Sequence, residues 1–328
     1  MWTAPMTAQP RISAISLPSN RLTSPSPSHT WRPCFSVRRA FLLLALAVAG
    51  AVQSWAVYPW MVLPPTPALP GAEQSGFAPV NGVRLWYAEF GKGLPVILLH
   101  GGLANSNYWG LQVRALAPTY HVIVLDSRGH GRSSRNEAPI GYDTMASDVL
   151  ALLDYLHLDR AAIVGWSDGA IVGLDIAIHH PERVARLYAF AANSNPSGVK
   201  EVSRSPVFSE FTARAATEYA QLSPTPAQLK QFVADIEHMW ATQPDFTDAQ
   251  LKGIAVPVWI VDADHDEAIK RENTDLMASL IPGAGELILP QVSHFAFLQD
   301  PVMFNQTLLR FLSPTSRQAG LRAAHGAE

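Results

Sequence analysis

Short apolar runs recur through the middle of the chain. Pro95 to Leu99 reads PVILL, His121 to Leu125 reads HVIVL and Ala161 to Val164 reads AAIV, and Leu187 to Ala191 and Val258 to Val261 have the same character. Runs this short and this continuously apolar predict strands buried on both faces. Val83 to Phe90 (VRLWYAEF) is β-branched and aromatic and ends at Gly91-Lys92-Gly93, which predicts a strand followed by a turn. Leu287 to Leu289 is a weaker candidate strand. Between these runs the period changes. Met145, Val149, Leu152, Leu153 and Leu156 fall at helical spacing, with Asp143 or Thr144 placed to cap the start. Further helices are predicted over Asn273 to Leu280 and Val302 to Leu312, the latter opened by Pro301. Apolar strands alternating with helices predict an α/β fold, a mostly parallel central sheet flanked by helices. One interval breaks the alternation. From Asn193 to Gly253 there is no buried strand, only polar loop and amphipathic pieces such as PAQLKQFVADIEHMW (Pro226 to Trp240). A helical lid over about 193–253, at the carboxyl ends of the strands, is the expectation.

The N-terminal part is patterned differently. Residues 1–36 are rich in Ser, Pro and Thr without periodicity and read as a disordered extension. Residues 37–63 read as a signal peptide or membrane anchor: Arg38-Arg39, then the apolar Ala40 to Val52, then Ser54-Trp55-Ala56 as a cleavage candidate. The run RRAFLL resembles a twin-arginine export signal, and Ala40 to Leu63 is long enough to span a bilayer if it is not removed. Export, to a periplasm or outside the cell, or N-terminal anchoring is therefore expected. A leader that follows so long an extension also points to a translation start near Val37. Residues 64–74 read as a proline-rich linker, 75–313 as the folded domain and 314–328 as a flexible tail.

Composition narrows the chemistry. The chain has 328 residues, a formal net charge of −3 and 48% hydrophobic residues. That is enough for one sizeable core, and without a basic stripe nucleic acid is not an expected partner. The single cysteine, Cys34, lies upstream of the domain, which leaves no disulfide framework, Cys-based zinc site or thiol nucleophile within it.

Chemistry concentrates in three places. The first is Gly165-Trp166-Ser167-Asp168-Gly169, a Gly-x-Ser-x-Gly between an apolar strand and a small-residue helix. Such a bend holds a serine hydroxyl at the sheet's carboxyl edge above a helix N-terminus, where developing negative charge is favoured. The second is His100-Gly101-Gly102-Leu103, directly after PVILL. The third pairs the loop Asp262-Ala263-Asp264-His265-Asp266 with His294 in Gln291-Val292-Ser293-His294-Phe295. A serine needs a base to take its proton, and the base needs an acid to orient it.

Together these stretches resemble the α/β-hydrolase fold superfamily over roughly Val80 to Leu312. The resemblance implies Ser167 as nucleophile, His294 as base and Asp266 as acid, with Asp264 and then Asp262 as alternative acids. Ala263 departs from the family's Gly in that loop. It also implies an oxyanion hole from the main-chain N–H groups of Gly102 (or Leu103) and Asp168. His100 is expected to pack and hydrogen-bond within its loop, and His265 would be the base only if the usual chain order failed. The implied activity is cofactor- and metal-free hydrolysis of a small-molecule ester or lactone through an acyl-enzyme, as in serine esterases and enol-lactonases. Carbon–carbon bond hydrolysis, perhydrolysis, or a binding protein that kept the fold without turnover are the alternatives.

Other stretches carry less. Asp262-x-Asp264-x-Asp266 lacks the Gly and Glu of a calcium loop, having Glu267 and Asn273 at those places. Asp126-Ser127-Arg128-Gly129-His130-Gly131-Arg132-Ser133 lacks the third Gly of a dinucleotide fingerprint, with Ser134 there instead, and resembles a structural loop of the same superfamily. His179-His180 closes a helix. Trp109, Trp166, Met239, Trp240 and Phe246 are equally compatible with an acyl pocket and with core.

Overall fold

The computed structural model describes residues 58–313. The extension expected over 1–36, most of the leader or anchor expected over 37–63 and the tail over 314–328 lie outside the described residues. Among the described residues no helix is long and apolar enough to cross a membrane.

The strands are β1 (Gln74–Val80), β2 (Val83–Phe90), β3 (Leu94–Leu99), β4 (Tyr120–Leu125), β5 (Ala161–Trp166), β6 (Val184–Phe190), β7 (Val258–Ala263) and β8 (Gly285–Leu289). The helices are α1 (Gly110–Leu116), α2 (Tyr142–Tyr155), α3 (Asp168–His179), α4 (Pro206–Leu222), α5 (Leu229–Thr242), α6 (Asp248–Lys252), α7 (Arg271–Leu280), α8 (Ala296–Gln299) and α9 (Pro301–Leu312). The strands form one eight-stranded sheet in the order β1-β2-β4-β3-β5-β6-β7-β8. β1 and β2 are antiparallel to their neighbours, and the pairs from β4 to β8 are parallel.

The continuous apolar runs are resolved by the pleat. Ile97, Leu99, Ile123, Leu125 and Ile163 belong to one buried cluster; their chain neighbours Val96, Leu98, Val122, Val124, Ala162 and Val164 belong to the other. Successive side chains point to opposite faces, so each strand feeds two cores at once. α2, α3 and α7 cover the first face through Met145, Val149, Leu152, Ile171, Leu174 and Met277. α1 and α9 cover the second through Val113, Leu116, Phe304, Leu308 and Phe311.

The interval after β6 holds three helices, α4 to α6, and no strand. α5 buries Phe232, Ile236 and Met239, spaced four and three apart on one face; each contributes roughly 1.5–3 kcal/mol of gross burial. These residues join the first cluster, whereas Val207, Phe208 and Phe211 of α4 join the second. The insertion therefore straddles the sheet edge instead of lying on one face.

Two expectations for the N-terminal side change. β1 precedes the first strand read from the sequence; it is an edge strand with only Ala78 and Val80 buried, too weak a pattern to stand out. The stretch 64–74 is extended, as its prolines require, but it is docked instead of acting as a linker. Leu63 is buried, Arg214 of α4 donates to the carbonyls of Leu63 and Pro64, and Thr66 donates to Glu218. The packed unit thus includes residues well before Ser75. Further upstream, the Trp60 ring stacks on His265 at 3.9 Å.

Strand order places the site. The chain leaves β3 for β4 on one side and returns to β5 on the other, so a crevice opens between the carboxyl ends of β3 and β5. The loop after β3 and the bend after β5 meet there, and the loops after β7 and β8 leave from the same edge.

Candidate active site

β5 ends and α3 begins within Gly165-Trp166-Ser167-Asp168-Gly169. Ser167 takes φ +54° and ψ −120°, a left-handed backbone that costs a residue other than glycine roughly 1–3 kcal/mol. The flanking glycines have a spatial reason. A side chain at 165 would run into the Gly169 carbonyl and the Cα of Ala170, and one at 169 into the Leu99 carbonyl of β3. Helix, bend and neighbouring strand are packed backbone to backbone. Gly169→Ala is therefore expected to cost about 3 kcal/mol, because main chain has to move to admit one methyl group. Urea unfolding measures this, and an unchanged midpoint would contradict the packing.

The β3 loop lies against this bend. Leu99 pairs with Gly165 across the strands, and a Cβ on Gly101 would sit 3.2 Å from that of Ser167. His100 is spent on its own loop: Nδ1–H donates to the Gly101 carbonyl at 2.8 Å, and Nε2 accepts from the Ser127 N–H at 2.9 Å. Burial lowers its pKa against the opposing pull of Asp126, so it stays neutral. The Asp126-to-Ser133 stretch is a braced loop, with Asp126 accepting from Ser106 and Arg132 and a buried Arg128–Asp148 pair at 2.6 Å. Leu103 has φ +61°. Among the described residues no acceptor takes the main-chain N–H of Gly102 or Leu103. As the first residue of α3, Asp168 has an N–H without an intrahelical partner.

The three aspartates at the end of β7 and in the loop beyond it separate. His294 Nδ1 lies 2.8 Å from Asp266 Oδ2, and both side chains are almost fully buried, at 3% and 1% exposure. Asp266 Oδ1 accepts the N–H groups of Ala268 and Ile269 at 2.7 Å. Burial alone would raise Asp266, but the His294 charge and these donors hold it below the usual carboxylate value. Burial alone would lower His294, and Asp266, Glu267 and Asp262 reverse that, leaving it raised. Asp262 accepts from Thr274 and from the Ala263 N–H, and burial pushes it up. Asp264 is partly exposed and braces the Val292 N–H. His265 is the ring under Trp60, not a partner of Ser167's loop.

Several residues that shape this site had no signal in the sequence. Glu267 accepts from the His294 N–H at 3.0 Å, and Gln299 accepts from the Ser293 N–H at 2.7 Å. Together they fix the loop that carries the imidazole. The Asp168 carboxylate is buried and accepts from Tyr142 of α2 and from the Trp240 indole of α5, each at 2.9 Å. Burial pushes its pKa up to about 6 even against those donors. The carboxylate also fills the space beside Gly102, so a Cβ at 102 would collide with it. Of the pocket candidates, Trp109 and Met239 are core, and Trp166 packs against Phe297 and 5.8 Å from the His294 ring. Phe246 is half-buried against the first cluster, and Trp240 lines a cavity. Among the described residues no His, Cys, Asp or Glu group is arranged to hold a metal.

A family model described as alpha/beta hydrolase fold matches residues 95–217, which contain the first two of these elements. The chain has the α/β-hydrolase fold. Hydrolases are among its relatives. A protein described as a carbamate hydrolase, RutD, of Agrobacterium fabrum is 29% identical over 251 residues, spanning 68% of this chain and 95% of that protein. The 2-hydroxy-6-oxo-6-(2'-aminophenyl)hexa-2,4-dienoic acid hydrolase of Metapseudomonas resinovorans is 25% identical, over 72% of this chain and 90% of its own. Among solved structures, Est816, an N-acyl homoserine lactone degrading enzyme, superposes with a TM-score of 0.57 at 26% identity. That match covers 73% of this chain and all of Est816. This α/β-hydrolase is thus an enzyme of the hydrolase class.

Proposed function

We propose that this α/β-hydrolase cleaves a carboxylic ester or lactone by acyl transfer to Ser167. The observation that carries the reading is the imidazole of His294, tied through Nδ1 to a buried carboxylate at the sheet edge that also presents Ser167. With Nδ1–H committed to Asp266, Nε2 is left as the basic nitrogen. It takes the Ser167 proton as Oγ adds to the carbonyl carbon. The carbonyl oxygen becomes an oxyanion facing the N–H groups of Gly102 and Asp168; donors of this kind contribute roughly 3 kcal/mol each to the transition state. The carbon–oxygen bond to the leaving group then breaks, and that oxygen carries away the proton from His294. Water, deprotonated by the same imidazole, releases the acyl group and restores Ser167. A lactone follows the same steps with its leaving oxygen still tethered. The degradation of a lactone by Est816, at 26% identity, supports including that class.

A fluorophosphonate probe tests the nucleophile. The wild-type protein is expected to be labelled at Ser167, with labelling abolished in Ser167→Ala. A wild-type protein that takes no label would leave a binding protein on this fold as the better reading.

A further inference from the structure

Between α4 and α5 lies a cavity of about 490 Å³, within the size range of sites for small organic ligands. Its walls include Leu103, Phe208, Ala216, Tyr219, Phe232 and Trp240. Three of these tie it to the site described above. Leu103 follows Gly102, the Phe208 ring lies 6.0 Å from the His294 ring, and the Trp240 indole donates to Asp168. These relations set the cavity beside the loop and the imidazole of that site.

The charge on the cavity wall has one sign. Among the described residues that line it there is no Lys, Arg or His, and the one charged lining residue is Glu237. Asp168, behind Trp240, adds a second carboxylate. Of the cations on the surrounding elements, Arg135 pairs with Asp235, Arg214 with Glu210 and the Leu63 and Pro64 carbonyls, and Lys200 with the Asp266 carbonyl, while Arg204, Lys230 and His238 neighbour lining residues in the chain without lining the cavity themselves. A carboxylate entering here would lose water, gain no counter-charge and face two like charges.

We infer that the cavity selects an uncharged, apolar acyl chain of medium length and rejects one that ends in a carboxylate. This rests on the Ser167 reading, and the experiment separates the two. The kcat/KM is measured for p-nitrophenyl acetate, p-nitrophenyl hexanoate, the p-nitrophenyl monoester of adipic acid, and that monoester capped as its methyl ester. The hexanoate is expected to be the best substrate and the free adipate monoester about 100-fold poorer. The methyl cap is expected to return the rate to within about tenfold of hexanoate, which assigns the loss to charge and not to length. Ala216→Trp, which fills the cavity, is expected to lower the hexanoate-to-acetate ratio about tenfold. An adipate monoester cleaved within about threefold of hexanoate overturns the inference while leaving Ser167 in place. Absence of any Ser167-dependent ester cleavage overturns the underlying reading, and the inference with it.

Discussion

Ser167→Ala is expected to lower kcat on p-nitrophenyl hexanoate by about 10⁴ to 10⁶-fold, with KM little changed. On the proposed mechanism Ser167 Oγ forms the bond to substrate, so no neighbour replaces it, and the activity left over comes from the oxyanion donors and from binding alone. The fold should tolerate the change. Alanine takes the same φ of +54° at a similar strain, and the glycines that make the bend are untouched. Circular dichroism and the urea midpoint should therefore match the wild type, which separates lost chemistry from lost structure. Activity within tenfold of wild type would end the acyl-serine mechanism.

Asp266→Asn is expected to cost about 10⁴-fold in kcat and to move the pH profile in a defined direction. In the wild type, burial pulls the His294 pKa down and Asp266, with Glu267 and Asp262, pulls it up by more, so the net position is above the usual histidine value. On the proposed mechanism only the neutral imidazole accepts the serine proton, so kcat/KM should be low in acid and rise to a plateau through that raised value. With asparagine at 266 the largest opposing charge is gone and burial acts with less opposition. The ascending limb should then shift to lower pH while the plateau falls. An asparagine variant with the wild-type limb would show that a different group sets the profile.

What the sequence disclosed follows from how local each signal is. Buried parallel strands advertise themselves as continuous apolar runs, and the bend at Ser167 is written in five consecutive residues because glycine is forced at both flanks by backbone contact. The loops after β3, β7 and β8 were readable for the same reason, each being a few residues at the end of a recognisable strand. Choosing among Asp262, Asp264 and Asp266 was a weaker inference, because three acids two residues apart differ only in what they face after folding. Glu267 and Gln299 act on a loop far along the chain, and Trp240 and Tyr142 reach Asp168 from 72 and 26 residues away. Nothing in a period or a short pattern encodes such meetings. The proline-dense stretch misled in the opposite sense. Its composition describes extended backbone correctly, but whether extended chain floats or lies on a surface depends on partners such as Arg214 and Glu218 that sit 150 and 152 residues downstream.

That stretch bears on where the protein can be cut. Arg214 and Glu218 belong to α4, the helix that also gives Phe208, Ala216 and Tyr219 to the cavity wall. Gln299, which steadies Ser293 beside His294, also donates to the Val62 carbonyl. A fragment starting at Ser75, the boundary suggested by composition, would strip a buttress from both at once, leaving Arg214 only its bond to Glu210 and Glu218 only its bond from Asn105. Shortened versions for expression or crystallisation belong upstream of Tyr58.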